Sequence, residues 1–397
     1  MASASNSQLS PSDYVEKTEA EPRTLEQTEE VITYDRENAS TGDEGSSTDK
    51  RMPTWSERLA FYKSRHFIEI LLMGQFLSLC ITATNVTTAK LANDYGIAMP
   101  TTQTFLNYVI LAIVYNIITL WKHGFRYWGR ALFKRGIWYL ILGIIDVEGN
   151  YFVVKAYAYT SLLSAMLLDA WSIPVVMFLS FILLKARYRW MQFLGVVICL
   201  CGLGGLVASD FIIGNSYQAV DPVKGDLFMI LGATFYGFSN VGEERLVRTT
   251  PLYEVVGMFT LFAAIVNFIQ LMILERNEFS TFVNQPEAIG MWVAYTAAMF
   301  CLYTVAPILF RKSSATFFNL SLLTSDFYGL LFGLFLFHYS PYPLYFVAYV
   351  LVIVGLLIYH LWPAPEPKIG NFDAERKQQV IDRTMGRRTE DVEAGRD

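Results

Sequence analysis

Four carboxylates lie in apolar surroundings, and so does one amine. Asp146, Glu148 and Lys155 fall in or just after Ile145-Asp146-Val147-Glu148-Gly149-Asn150-Tyr151. Asp169 interrupts Leu167-Leu168-Asp169-Ala170-Trp171, and Asp326 interrupts Thr324-Ser325-Asp326-Phe327-Tyr328. On a helix, Asp146 and Asn150 share one face at i, i+4, while Glu148, Tyr151 and Lys155 share the other. Ionisable groups at bilayer depth are costly and are functional candidates by default. Four acids against one cation suit the binding of a neutral or cationic solute, and a proton carried across on a carboxylate would be a means of coupling. A doubly charged phosphate substrate would need several Lys or Arg for charge-assisted bonds, and that supply is missing. The structural alternative for each acid is a carboxylate held by Tyr, Thr or Asn of the next helix. Catalysis is not expected: no Ser/His/Asp set, phosphate-binding glycine loop or metal-ligand spacing occurs. No metal and no cofactor is implied.

These groups need a frame, and the frame is lipid-soluble. The 397 residues are 53% hydrophobic and 17% charged, against about 25% charged in a soluble domain. About 20 mostly apolar residues cross a bilayer as a helix. Ten such spans are expected, at 68–88, 102–121, 136–156, 161–183, 190–208, 225–245, 252–274, 288–309, 315–337 and 342–362. Lipid cannot bond an open backbone, so the spans read as helices, and the alternating pattern of a barrel is absent. The expected fold class is an all-α membrane protein of ten transmembrane helices.

Residues 1–52 carry twelve acids against five bases and few large apolar residues, which reads as a disordered cytosolic tail. No apolar core of a cleavable signal follows Met1. Residues 363–397 read as a second cytosolic tail. Placing the N-terminus inside puts sixteen Lys and Arg in inner segments and three in outer loops. That contrast orients both termini to the cytosol. Residues 53–67, with Trp55, Leu59, Tyr62 and His66 on one face, read as an amphipathic helix on the inner membrane surface.

The third-to-fifth spans resemble the eighth-to-tenth at an offset of 153 or 154, which pairs Trp138 with Trp292 and Gly202 with Gly355. Five spans per half invert the second half, giving repeats 68–208 and 225–362 around a midplane site. Gly195, Gly202, Gly204, Gly205 and Gly329-x-x-x-Gly333 permit close helix approach, within one chain in preference to a homodimer seam. The four cysteines read as small buried hydrophobes. Asn240, Asn267 and Asn319 are further internal polar groups. Glu243 and Glu244, beside Arg245 and Arg248, read as paired at the inner interface. Abundant Tyr, Phe and Trp suit planar or cationic solutes, although packing accounts for most of them.

The third-span motif, with Val153-Val154-Lys155-Ala156-Tyr157, resembles a signature of solute carrier family 35, subfamily F. So do Leu167-Leu168-Asp169, Ser239-Asn240-Val241-Gly242-Glu243-Glu244, Leu323-Thr324-Ser325-Asp326-Phe327-Tyr328 and Gly74-Gln75-Phe76-Leu77-Ser78-Leu79. The resemblance covers about Arg58 to Trp362. It implies membership of the drug/metabolite transporter superfamily, with ten helices, two inverted repeats and alternating access. The parent family implies nucleotide-sugar antiport in the Golgi; the F branch implies uptake of small heterocycles, including queuine and queuosine. Carried over by the resemblance are Glu148, Lys155, Asp169, Asn240, Glu243 and Asp326. With Asp146, Asn150, Tyr151 and Tyr328 these form the expected binding or coupling set. The expected partners are a small-molecule substrate and the lipid bilayer, with no nucleic acid. The plasma membrane and the Golgi or other endomembranes both remain open, and a non-transporting scaffold is the third reading.

Overall fold

The computed structural model describes residues 65–160, 162–213, 221–276, 286–335 and 343–360. All belong to the second of two units, Met1–Ala60 and Phe61–Asp397. The tails 1–52 and 363–397, and nearly all of the surface helix expected over 53–67, lie outside the described residues. Every regular element among the described residues is helical. In chain order they are α1 (Arg65–Asn93), α2 (Pro100–Ala156), α3 (Leu162–Asp169), α4 (Ser172–Leu183), α5 (Trp190–Ile213), α6 (Pro222–Thr249), α7 (Leu252–Leu274), α8 (Pro286–Lys312), α9 (Ala315–Phe335) and α10 (Pro343–His360).

Four of them are long and apolar enough to cross a membrane: Ile68–Asn93, Pro100–Ala156, Leu252–Leu274 and Pro286–Lys312. Their outward faces carry Leu72, Ile113, Ile117 and Ile273, all exposed, while Ser78, Thr82, Asn107 and Asn267 are buried. In water so much exposed apolar surface would mark a binding face or an aggregation risk. In lipid it costs nothing, and the polar groups turn inward to find partners.

Two elements differ from the sequence expectation. Spans 102–121 and 136–156 belong to one helical run of 57 residues, interrupted at Gly124 (φ 76°, ψ 170°). A straight helix of that length would reach about 85 Å, far beyond a bilayer, so the chain must fold back. Gly124 supplies the left-handed φ that a side chain resists. The Trp128 indole donates to Asn116 Oδ1 across the break at 2.7 Å. The connection 125–135 is therefore helical. The single span expected over 161–183 is instead split into α3 and α4 at Ala170-Trp171. Pro174 has no N–H for the Ala170 carbonyl and its ring crowds that carbonyl. The chain tightens there, with Trp171 N–H donating to Leu168 O and Ile173 N–H to Ala170 O, both at 3.0 Å.

Packing places the polar residues. Helix α7 lies along both arms of α2, α5 packs on α10, α1 on α8 and α9, and α6 on α2, α3 and α4. In the α5–α10 seam a Cβ on Gly195 would stand 2.6 Å from Gly355 O and 2.9 Å from Tyr359 N, so only glycine fits. The partner that the repeat offset gives Gly355 is Gly202, two turns further along the same face of α5. Gly204 and Gly205 meet nothing within 4 Å. Cys80 and Cys199 are buried as expected, whereas Cys201 is exposed because residue 201 turns to the opposite side of α5 from residue 199.

Candidate functional site

A cavity opens between α1, α2, α6, α8 and α9 at the break between α3 and α4. Asp146, Asn150, Asp169, Asn240, Glu243 and Asn319 line it, together with Ser172, Tyr236 and Tyr303. Ile81, Met299, Leu302, Ala306, Phe310, Phe318 and Leu322 complete its wall. It measures about 50 Å³, on the scale where one water needs about 10–15 Å³. A second cavity of about 20 Å³ lies toward the Asn93 end of α1, bordered by Asn85, Thr88, Tyr157 and Tyr295. Ile81, Asp169, Tyr236 and Met299 line both, so Asp169 stands in the wall between them.

Asp146 is the centre of a network joining three elements. Its Oδ2 accepts from the hydroxyls of Tyr108 at 2.7 Å and Tyr303 at 2.6 Å. Its Oδ1 accepts from Ser239 at 2.8 Å. One turn on, the Asn150 amide donates to the same two tyrosine oxygens at 2.7 and 2.9 Å, and its Oδ1 accepts from Tyr236 at 3.0 Å. The i, i+4 spacing of Asp146 and Asn150 points both side chains at one place, and the other arm of α2, together with α6 and α8, brings the hydroxyls to them. A second set joins α4, α6 and α9, where Ser172 and Asn240 donate to Asn319 Oδ1 at 3.0 and 3.3 Å.

Two acids of the cavity have no such company. Glu243 is 6% exposed. Glu243 Oε1 and Asp169 Oδ1 are shielded from solvent and receive no hydrogen bond among the described residues. The interfacial pairing expected for Glu243 is therefore corrected. Its neighbour Glu244 takes that role, bonding Arg248 Nε at 2.9 Å one turn along and accepting from Ala315 N–H at 2.8 Å. Adjacent residues diverge by about 100° on a helix, so Glu244 faces α9 while Glu243 faces the cavity. Among the described residues no Lys or Arg lines the cavity.

Other expected residues lie elsewhere. Glu148 is half-buried on the opposite face of α2 and accepts from Gln270 of α7. The Lys155 ammonium donates to Tyr151 OH at 2.6 Å and lies over the Tyr151 and Phe228 rings. Tyr328 donates to Gln75 Oε1 at 3.2 Å. None of these four lines the cavity. The Asp326 side chain lies outside the described residues. Tyr108, Ser172, Ser239 and Tyr303 were missed by the sequence reading. Each is a neutral hydroxyl in an apolar run, and the only signal was that an internal acid such as Asp146 needs donors from neighbouring helices.

A family model described as Solute carrier family 35 (SLC35F) matches residues 63–361, a stretch that contains the whole cavity. The chain belongs to this family. Among its relatives, an uncharacterized solute carrier family 35 member of Schizosaccharomyces pombe is 46% identical over 320 residues, covering 81% of this chain and 62% of the relative. The chain thus spans less than two thirds of that protein's length. Solute carrier family 35 member F2 of Mus musculus is 39% identical over 74% of this chain and 78% of its own. The Xenopus tropicalis protein of the same name is 37% identical over 77% and 80%. A solved crystal structure of another protein, 20% identical, superposes with a TM-score of 0.51 over 73% of this chain and 96% of that one. At that identity the likeness shows the fold alone.

Proposed function

We propose that this chain is a membrane transporter, secondary-active or facilitative, for a small neutral or cationic heterocyclic metabolite. It works by alternating access between two inverted five-helix repeats, 68–208 and 225–362, and it is a carrier and not an enzyme. Membership of solute carrier family 35 supports the transport reading. The packing supports the repeats. With the ten expected spans numbered in order, adding five to each turns the most extensive contacts into one another. Spans 1 and 8 become 6 and 3, spans 1 and 9 become 6 and 4, and the pairs 2·7, 4·9 and 5·10 map onto themselves. A helix broken beside the site is also the usual construction of a carrier binding site.

One observation carries the substrate reading: among the described residues, a chamber walled by both repeats holds three carboxylates and no Lys or Arg. A nucleotide sugar would bring two phosphate charges to those acids, so nucleotide-sugar antiport is disfavoured. The chamber has room for a few waters, so loading requires the helices to part. A deazaguanine base carrying an amine, of the queuine type, is the first compound to assay. One chain encloses the whole chamber, so the proposed unit is the monomer within the bilayer, and a homodimer adds nothing to the site. Both termini are proposed to face the cytosol, in the plasma membrane or an endomembrane.

A competition uptake panel in cells lacking the protein, with and without its re-expression, tests this reading. Re-expression restores uptake of a labelled heterocycle, and Asp169→Asn or Glu243→Gln removes it at equal surface abundance. Unchanged uptake in both variants, or exchange of labelled nucleotide sugars in liposomes, overturns it.

A further inference from the structure

The three carboxylates of the chamber are not equivalent. A carboxylate offers about four acceptor sites. Asp146 has three filled by Tyr108, Tyr303 and Ser239 and is approached by the Asn150 amide at 3.4 Å. Nothing remains for a solute without breaking a bond between helices. Glu243 Oε1 and Asp169 Oδ1 are buried on the same cavity wall without a donor. Buried acceptors in folded proteins are nearly always satisfied, and leaving one bare costs about 1–3 kcal/mol.

Among the described residues no neighbouring element supplies a cation. The titratable groups brought near Glu243 are Asp146 and Tyr115 from α2, Asp169 from the end of α3, Tyr236 from α6 and Tyr303 from α8; α9 contributes the neutral Asn319. Arg248 lies at the end of the same helix but is held by Glu244 and by Ser313 O. A positive charge for these oxygens therefore arrives either as a proton or with the solute.

We infer that Glu243 and Asp169 form a subsite for a positively charged N–H donor group of the cargo, of the amidinium or protonated-amine kind, while Asp146 holds the helices that present them. This rests on the chamber being the binding site of the proposed carrier, and it narrows the cargo to compounds with such a group. The pair comes from opposite repeats, so one bound cation bridges both.

The test uses the full chain in lipid nanodiscs and two probes of the same shape, benzamidinium and the neutral benzamide, with affinities measured by calorimetry. The wild type prefers benzamidinium. Glu243→Gln and Asp169→Asn each lower the cation-to-neutral affinity ratio about ten- to a hundredfold, the range for one charge-assisted bond. Glu243→Asp restores most of the preference. In the wild type, acidification from about pH 7.5 to 5 weakens benzamidinium, because protons compete for the same oxygens, and leaves benzamide unchanged. The pH series and the Glu243→Asp variant keep the test decisive if the neutral variants misfold. Equal binding of the two probes, no benzamidinium binding, or a ratio unmoved by the substitutions overturns the inference. Preference for benzamidinium without uptake of any heterocycle sinks the transporter reading and leaves the subsite standing.

Discussion

Replacing Asp146 with Ala measures how strongly the network holds the helices together. The substitution removes the acceptor of three hydroxyls. Ser239 can turn to a carbonyl of its own helix, as buried serines commonly do. Tyr108 and Tyr303 are buried, and their hydroxyls already accept from Asn150, so their protons lose the acceptor that Asp146 supplied. Two stranded donors at about 1–3 kcal/mol each give a loss of roughly 2–6 kcal/mol. At about 2 °C per kcal/mol for a chain this large, the thermal midpoint in detergent falls by roughly 4–12 °C. Removing the stranded hydroxyls as well, in Asp146→Ala/Tyr108→Phe/Tyr303→Phe, recovers part of that loss, because deleting both partners of a bond is nearly neutral but the Asn150 amide then keeps only Asp146 O as acceptor. A midpoint within about 1 °C of wild type for the single variant, or a triple variant no more stable than the single one, refutes the reasoning.

Gly195→Val drives a side chain into Gly355 O and the Tyr359 backbone and costs about 1–3 kcal/mol or more, whereas Gly204→Val is tolerated; folded yield by size-exclusion fluorescence separates them. Glu275→Ala strips the start of α2 of the carboxylate bonded to Thr101 N–H at 2.9 Å and Thr102 N–H at 2.7 Å. Amide exchange at residues 101–104 then accelerates, with a stability loss of about 0.5–2 kcal/mol, as for a lost cap. Arg248→Ala leaves Glu244 buried without its cation and costs about 3–5 kcal/mol. The double variant Glu244→Gln/Arg248→Met loses less, which thermal unfolding reads directly.

Much of the framework was legible because lipid makes a blunt demand. About twenty apolar residues in a row cross as a helix, and such runs are hard to miss around Ile68, Leu252 and Ala288. The spacing of Asp146 and Asn150 likewise fixed a shared face, and the two point into one network. The division of the fourth span was written in Pro174 but was hidden by the apolar residues on both sides. The fate of Glu243 was not legible at all: two adjacent acids beside two arginines look alike in a string, and only the helical turn sends one to Arg248 and the other to the cavity. Glu148 stands away from the cavity, because an intramembrane acid can be served by a single glutamine on a neighbouring helix. Tyr303 and Ser239 carry no charge, so their part in the network appears only when α6 and α8 are set beside α2.

The α2–α7 seam has a mechanical consequence. A Cβ on Gly257 of α7 would lie 3.0 Å from Asn116 N on one arm of α2, and one on Gly143 of the other arm 3.0 Å from Ala263 N and Phe259 O of α7. Main chains that touch at two points, on both sides of one rod, have no intervening side chains to act as bearings, so sliding there meets a steric step. Within the proposed carrier we expect this line, like the Gly195–Gly355 seam, to stay fixed while helices whose contacts run through rotatable side chains swing.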